Sequence, residues 1–147
     1  DEVKSFGFVS RLDTLQAAIL NYHLKNLDKV ISKRRENAMV YIENLDSSNV
    51  YFNDLQEEYF DTYHTFVIQI DRRDELKEFL ESKGIGSSIH YPIPIHLQPP
   101  SAKFHLKEGS FPITETQAKK ILSLPINQYV TENEIKYISE MVNTFFK

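Results

Sequence analysis

The chain has 147 residues, 41% of them hydrophobic, and a formal net charge of −4: enough apolar material for one core, and no basic footprint for a nucleic acid. It contains no cysteine, which excludes disulfides, thiolate metal sites and a thiol nucleophile and fits a reducing compartment. No apolar run approaches the roughly 20 residues needed to cross a bilayer, and Asp1-Glu2-Val3-Lys4 is not the start of a secretory signal, so a soluble cytoplasmic protein is expected. The first residue is not Met, and the chain opens inside what reads as a continuing segment, so a piece of a longer polypeptide is expected.

Ser10-Arg11-Leu12-Asp13 reads as a capping box with Ser10 as N-cap, so a first helix is expected there. Leu12, Leu15, Ala18, Ile19 and Tyr22 recur at helical spacing, and Ala17 and Leu20 widen the stripe beyond what one covered face requires. Such a helix is buried or pairs with another subunit. After a break near residues 23–26, a second amphipathic pattern runs through Leu27, Val30, Ile31, Ala38, Tyr41, Ile42 and Leu45. Its other face carries Lys29, Lys33, Arg34, Arg35 and Glu36, which reads as solvated because no aromatic residues interleave. Asp46-Ser47-Ser48-Asn49 is turn chemistry, and residues 50–61 read as an extended loop with one short strand. Tyr63 to Ile70 is a β-branched and aromatic strand, followed by a helix with Leu76, Phe79 and Leu80 inward and Gly84 just past its end. Residues 87–91 are expected as the next strand, making 63–91 a β-α-β unit. Ser101 to Gly109 reads as a short helical or irregular excursion with a mobile tip at 107–110. Thr114-Glu115-Thr116-Gln117 reads as a second capping box, Leu122 to Ile126 as a buried edge strand, and Thr131 to Glu134 as a third box opening a helix with Ile135, Ile138, Met141, Val142 and Phe145 inward. The expected fold class is α+β: a long helical segment followed by a small domain with a sheet of about three strands covered by helices.

Ser87 to Pro99, SSIHYPIPIHLQP, carries the chemistry. Pro92 and Pro94 fix φ and remove backbone donors, so His90, Tyr91 and His96 sit on a stiff loop with little entropy left to lose on binding. The loop is either a connector whose polar tips meet water or a preformed contact surface. No glycine-rich phosphate loop is present, no two histidines stand at metal spacing on a helix, and Ser87, Ser88 and Ser101 lack a nucleophile's context. The residues describe a domain that lends contacts to a site without containing a complete one, with no catalytic residue and no metal ligand of its own.

Gly7 to Leu20, Leu27-Asp28, Arg34-Arg35, Tyr63-His64, His90 to Pro99 and Leu122-Ser123-Leu124-Pro125 come in one order. In that order they resemble the C-terminal portion of the pyridoxal phosphate (PLP)-dependent nucleotide-sugar aminotransferases, the DegT/DnrJ/StrS class, which have the aspartate aminotransferase type of fold. The resemblance implies a homodimer with active sites at the subunit interface. It also implies transfer of an amino group, usually from glutamate, to a keto sugar carried on a nucleoside diphosphate for polysaccharide biosynthesis. Residues 1–46 would link to a preceding large domain and form the dimer interface, and 47–147 would be the small domain. The Schiff-base lysine would lie ahead of Gly7, and no lysine here stands in the family's lysine motif, so no cofactor binding and no activity are expected of this chain alone. Ser10 and Arg11 would face the cofactor or substrate phosphate of the partner subunit. His90, Tyr91 and His96 would line the mouth of the sugar-nucleotide site. Val9 stands where the family's Gly-x-Asn-x-Arg motif has its Asn, which leaves a non-catalytic dimerisation or ligand-binding module as the alternative.

Overall fold

The computed structural model describes residues 2–5, 7, 11–53 and 58–147. The first helix, α1, is Thr14–Leu24, so it begins later than the Ser10 box implies. Asp13 is the N-cap: its carboxylate accepts from Leu15 N (2.9 Å), and Gln16 reaches back to Asp13 N (3.3 Å). An ionised carboxylate is a stronger acceptor than a hydroxyl and suits the positive end of a helix, which is why the later box wins. Ser10 and Val9 lie outside the described residues. No residue of α1 is buried, and Leu15, Ile19, Leu20, Tyr22 and Leu24 are all exposed.

A turn at residues 25 and 26 leads into α2, Leu27–Asn44. Its apolar stripe matches the expected spacing, with Ala38, Tyr41 and Leu45 in the core. Of the basic face, Lys29 and Glu36 are exposed and Lys33 pairs with Glu36 at the surface, whereas Arg34 and Arg35 bind backbone carbonyls. Arg34 Nη1 donates to the carbonyls of Tyr63 (3.2 Å), His64 (2.9 Å) and Ile126 (3.2 Å). Arg35 donates to Asp61 O (2.6 Å) with its guanidinium 4.5 Å from the centre of the Phe60 ring. Both side chains are half-buried, because their stems lie along apolar surface while the planar fork meets carbonyls that no strand partner satisfies. Further along the same helix, Asn37 Nδ2 donates to Asn127 O (2.8 Å) and Val130 O (3.0 Å), and Tyr41 OH to Pro125 O (2.7 Å).

The sheet is small. β1 (Phe66–Gln69) pairs antiparallel with β2 (Ile121–Leu124), Phe66 opposite Leu124 and Gln69 opposite Ile121. Tyr51 bridges to the outer side of β1 at Gln69, and Ser88 bridges to the outer side of β2 at Ser123. The expected third strand at 87–91 is thus a single bridge, since Pro92 and Pro94 have no N–H with which to prolong a ladder. β2 is an edge strand of this two-stranded sheet, as expected, its outer side meeting only the Ser88 bridge, so a strand from later in the chain stands between β1 and residue 88 and the expected β-α-β unit is split. Helix α3, Arg73–Ser82, ends where Gly84 takes a positive φ of 75°, a conformation free of Cβ strain only in glycine. Helix α5, Glu132–Phe145, is capped by the expected box, Thr131 Oγ1 accepting from Glu134 N and Glu134 accepting from Thr131 N (2.8 Å).

α2, α3 and α5 cover the sheet face carrying Phe66, Ile68, Leu122 and Leu124. Tyr41 is fully buried and stacks on Phe66 at 4.7 Å, so the core runs across the boundary drawn at residue 46. Because side chains alternate along a strand, Val67 and Ser123 fall on the other face. Arg34→Met removes a charged donor from three carbonyls and is expected to cost about 2 kcal/mol in urea unfolding, whereas Lys33→Ala on the neighbouring, half-exposed position changes stability by less than ~0.5 kcal/mol; equal effects would return the cluster to a solvated role.

Candidate functional site

The proline loop leaves the sheet at Ser88, whose N–H and carbonyl exchange bonds with Ser123 (3.1 and 2.8 Å). Two residues later, on the same face, His90 Nδ1 lies 2.8 Å from Ser123 Oγ. Tyr91 follows in the left-handed region (φ 60°) and is 84% exposed, its ring centre 6.4 Å from that of His90. A bulky residue held at positive φ costs on the order of 1–3 kcal/mol and persists only where its surroundings impose it. Here Pro92 fixes the next φ.

The loop then closes on itself through a 3-10 turn at Ile95–Leu97 and a second at Pro99–Phe104. His96 turns inward, is only 8% exposed, and packs edge-on against Phe111 at 4.9 Å. Its Nε2 meets Glu115 Oε1 at 2.8 Å, which requires the proton on Nε2 because a carboxylate only accepts. Glu115 also accepts from Gly109 N (2.9 Å) and Phe111 N (3.2 Å). The second capping box is therefore not one. Helix α4 is Pro112–Lys120, opened three residues earlier by a proline at its first position, and Glu115 reaches back to hold the preceding turn. Gly109, at φ 87°, can present its N–H to that carboxylate because it has no Cβ. At the tip, residues 107–110 form a turn, Ser110 N donating to Lys107 O (3.0 Å). Ser101 Oγ donates to Ile95 O (2.6 Å). Gln98 ties two segments, accepting from Val3 N (3.0 Å) and donating to Ile93 O (3.3 Å).

Of the expected site residues, the structure brings His90 and Tyr91 together on the outside of the loop and places His96 on its inside. Arg11 is exposed on the segment entering α1. Glu115 and Ser123, which organise the loop, are not among the expected site residues. For Glu115 a signal was present in Phe111-Pro112, since proline at a helix start puts Glu115 one turn in; for Ser123 there was none beyond its place in Leu-Ser-Leu-Pro.

A concavity of about 180 Å³ lies between Pro92, Ile93, Pro94 and Leu97 and the α4 residues Glu115 and Lys119. A second concavity, about 500 Å³, lies at the opposite edge of the sheet, between Phe52, Tyr59, Asp61, His64 and Val67, with neither lysine nor arginine among the described residues of its lining. Pyridoxal phosphate needs a desolvated lysine for its aldehyde and donors for its phosphate. Lys33, Lys77, Lys120 and Lys136 stand paired with surface carboxylates, so none of these four is the desolvated amine that the group's aldehyde requires.

The N–H of Gly109, and then the His96 bond, hold the Glu115 carboxyl below the ordinary carboxylate range. A lowered folded-state pKa contributes stability that is present above the unfolded value, about 4.3, and is lost as pH falls through the folded value. In thermal melts between pH 6 and 3, Glu115→Gln is expected to flatten the acid fall in Tm; an unchanged acid limb would show that the carboxylate carries no such linkage.

Residues 1–143 match the model of the DegT/DnrJ/EryC1/StrS aminotransferase family. The chain is 37% identical over 144 residues to a pleiotropic regulatory protein of Geobacillus stearothermophilus, covering 96% of this chain and 39% of the relative. It is 34% identical to the dTDP-3-amino-3,6-dideoxy-alpha-D-galactopyranose transaminase of Aneurinibacillus thermoaerophilus, covering 95% and 38%. Among solved structures it superposes on S. venezuelae DesV, crystallised in complex with a ketimine intermediate, with a TM-score of 0.87 and 32% identity over 97% of this chain and 38% of that one. The chain thus spans under two fifths of the length of these relatives.

Proposed function

The chain belongs to the DegT/DnrJ/EryC1/StrS aminotransferase family, and from that premise we propose that it is the C-terminal part of a PLP-dependent transaminase acting on nucleotide-linked keto sugars, with glutamate as amino donor. The observation that carries the reading is the pinned proline loop. It presents His90 and an outward, conformationally constrained Tyr91 on a backbone held by Ser123 at one end and Glu115 at the other. A surface ordered in advance loses little entropy on binding, as a wall for a sugar and its phosphates requires. His96 serves the same wall from within, by holding the loop's shape.

The cofactor supplies the electron sink for amine transfer, and the lysine that anchors it belongs to residues outside this chain. Arg11 offers a permanently charged, planar fork for a phosphate, and Ser10 beside it a hydroxyl donor. The uncovered apolar residues of α1 fit an interface in which a second copy of the protein completes the site. Val9 in the family's Asn position favours a second reading, a module that has kept the fold without catalysis.

Combining the chain with the polypeptide that precedes it is expected to give glutamate-dependent amination of a dTDP- or UDP-linked keto sugar, read as 2-oxoglutarate released. The chain alone should give none and leave the absorbance of added PLP unchanged. Turnover by the chain alone, or an inactive combination, would sink the transaminase reading, and the latter would favour the module. In light scattering, Leu15→Glu is expected to shift the oligomeric state at least tenfold more in apparent Kd, about 1.4 kcal/mol, than Lys33→Glu.

A further inference from the structure

Ser123 is 7% exposed, and its backbone N–H and carbonyl are both committed to Ser88. Its hydroxyl has one hydrogen-bond partner among the described residues, Nδ1 of His90 at 2.8 Å. A hydroxyl carries one proton to donate, and burying that proton without an acceptor costs on the order of 1–3 kcal/mol. Two arrangements of the pair are possible. If the imidazole donated from Nδ1, the Ser123 proton would be left buried with no acceptor. If Ser123 donates to Nδ1, every polar atom of the serine is satisfied, and the ring proton must sit on Nε2. The second arrangement is the one the surroundings allow.

We propose that Ser123 is a positioning residue that locks the neutral His90 imidazole in its Nε2–H tautomer, so that His90 meets a ligand as a hydrogen-bond donor. The nitrogen opposite the serine then recognises an oxygen acceptor, such as a phosphate oxygen or a sugar carbonyl or hydroxyl, and cannot accept a proton while neutral. The choice of ligand class rests on the transaminase reading; the tautomer does not. His96 follows the same logic with a different partner, Glu115 fixing its proton on Nε2, but there the donor is spent inside the loop. The loop thus holds two imidazoles in one tautomer, one turned to structure and one left for a ligand.

The lock is read without ligand or turnover, from the 15N resonances of the His90 ring in labelled protein at a pH well above the ordinary histidine value of about 6.5. The expected result is a protonated Nε2 and an unprotonated Nδ1. Ser123→Ala should move both nitrogens toward each other as the tautomers begin to exchange, and Ser123→Thr should restore the original pair. Ser123→Cys, with its weaker S–H donor, should give an intermediate shift and guards against a folding effect of the alanine variant, with the Ser88 and Val67 amides reporting that the sheet is intact. A proton on Nδ1 in the unmodified protein, or ring nitrogens indifferent to all three substitutions, overturns the proposal. An inactive combination with the preceding polypeptide overturns the transaminase reading and leaves these resonances where they are.

Discussion

Beyond Pro125 the backbone leaves β2 and turns through Asn127 before α5 begins, exposing a run of carbonyls that no strand partner can satisfy. Arg34, Asn37 and Tyr41, spaced three and four apart on α2, supply the donors, to Ile126, Asn127, Val130 and Pro125. Buried carbonyls without partners would cost more than most single contacts contribute, so this stripe fixes where α2 can lie. Once α2 is set on that turn, its packing against α5 follows, and so does the stacking of Tyr41 on Phe66. Arg34 extends the same device to the start of β1 by holding the Tyr63 and His64 carbonyls. Burial pushes the Tyr41 hydroxyl's pKa up, which keeps it a neutral donor.

The sheet divides the labour. Its inner face, Phe66, Ile68, Leu122 and Leu124, is the floor of the core, and its outer face carries Ser123 to the base of the proline loop. The loop needs no regular hydrogen-bonded ladder because side chains hold it instead, Ser123 at its entry, Gln98 and Ser101 in its middle and Glu115 at its far end. A carboxylate that accepts from two backbone N–H groups and one imidazole ties three separate segments together. That is why a stretch rich in proline has a defined shape without strand or long helix.

α1 is the counterpart of this self-sufficiency. Eleven residues are short for an isolated helix in water, and this one is apolar on most sides yet has none of its residues buried against the described chain. Its apolar residues are left uncovered in a chain that spans under two fifths of its relatives' length.

Periodicity and capping chemistry made most of the fold legible. The stripes of α2, α3 and α5, the Thr131 box, the Gly84 terminus and the strand at 66–69 are local patterns, and local sterics and hydrogen bonding decide them. The ordered motifs marked the family and singled out the proline loop. Other choices depended on partners distant in sequence: which box caps α1, whether the arginines of α2 face water or carbonyls, that β2 would enter between β1 and Ser88, and that His96 would face inward while His90 faced Ser123. A side chain's inherent chemistry is written at its own position. The atom it must satisfy is fixed only when residues 19, 33 or 92 positions away are folded against it, and that competition for buried acceptors belongs to the tertiary structure alone.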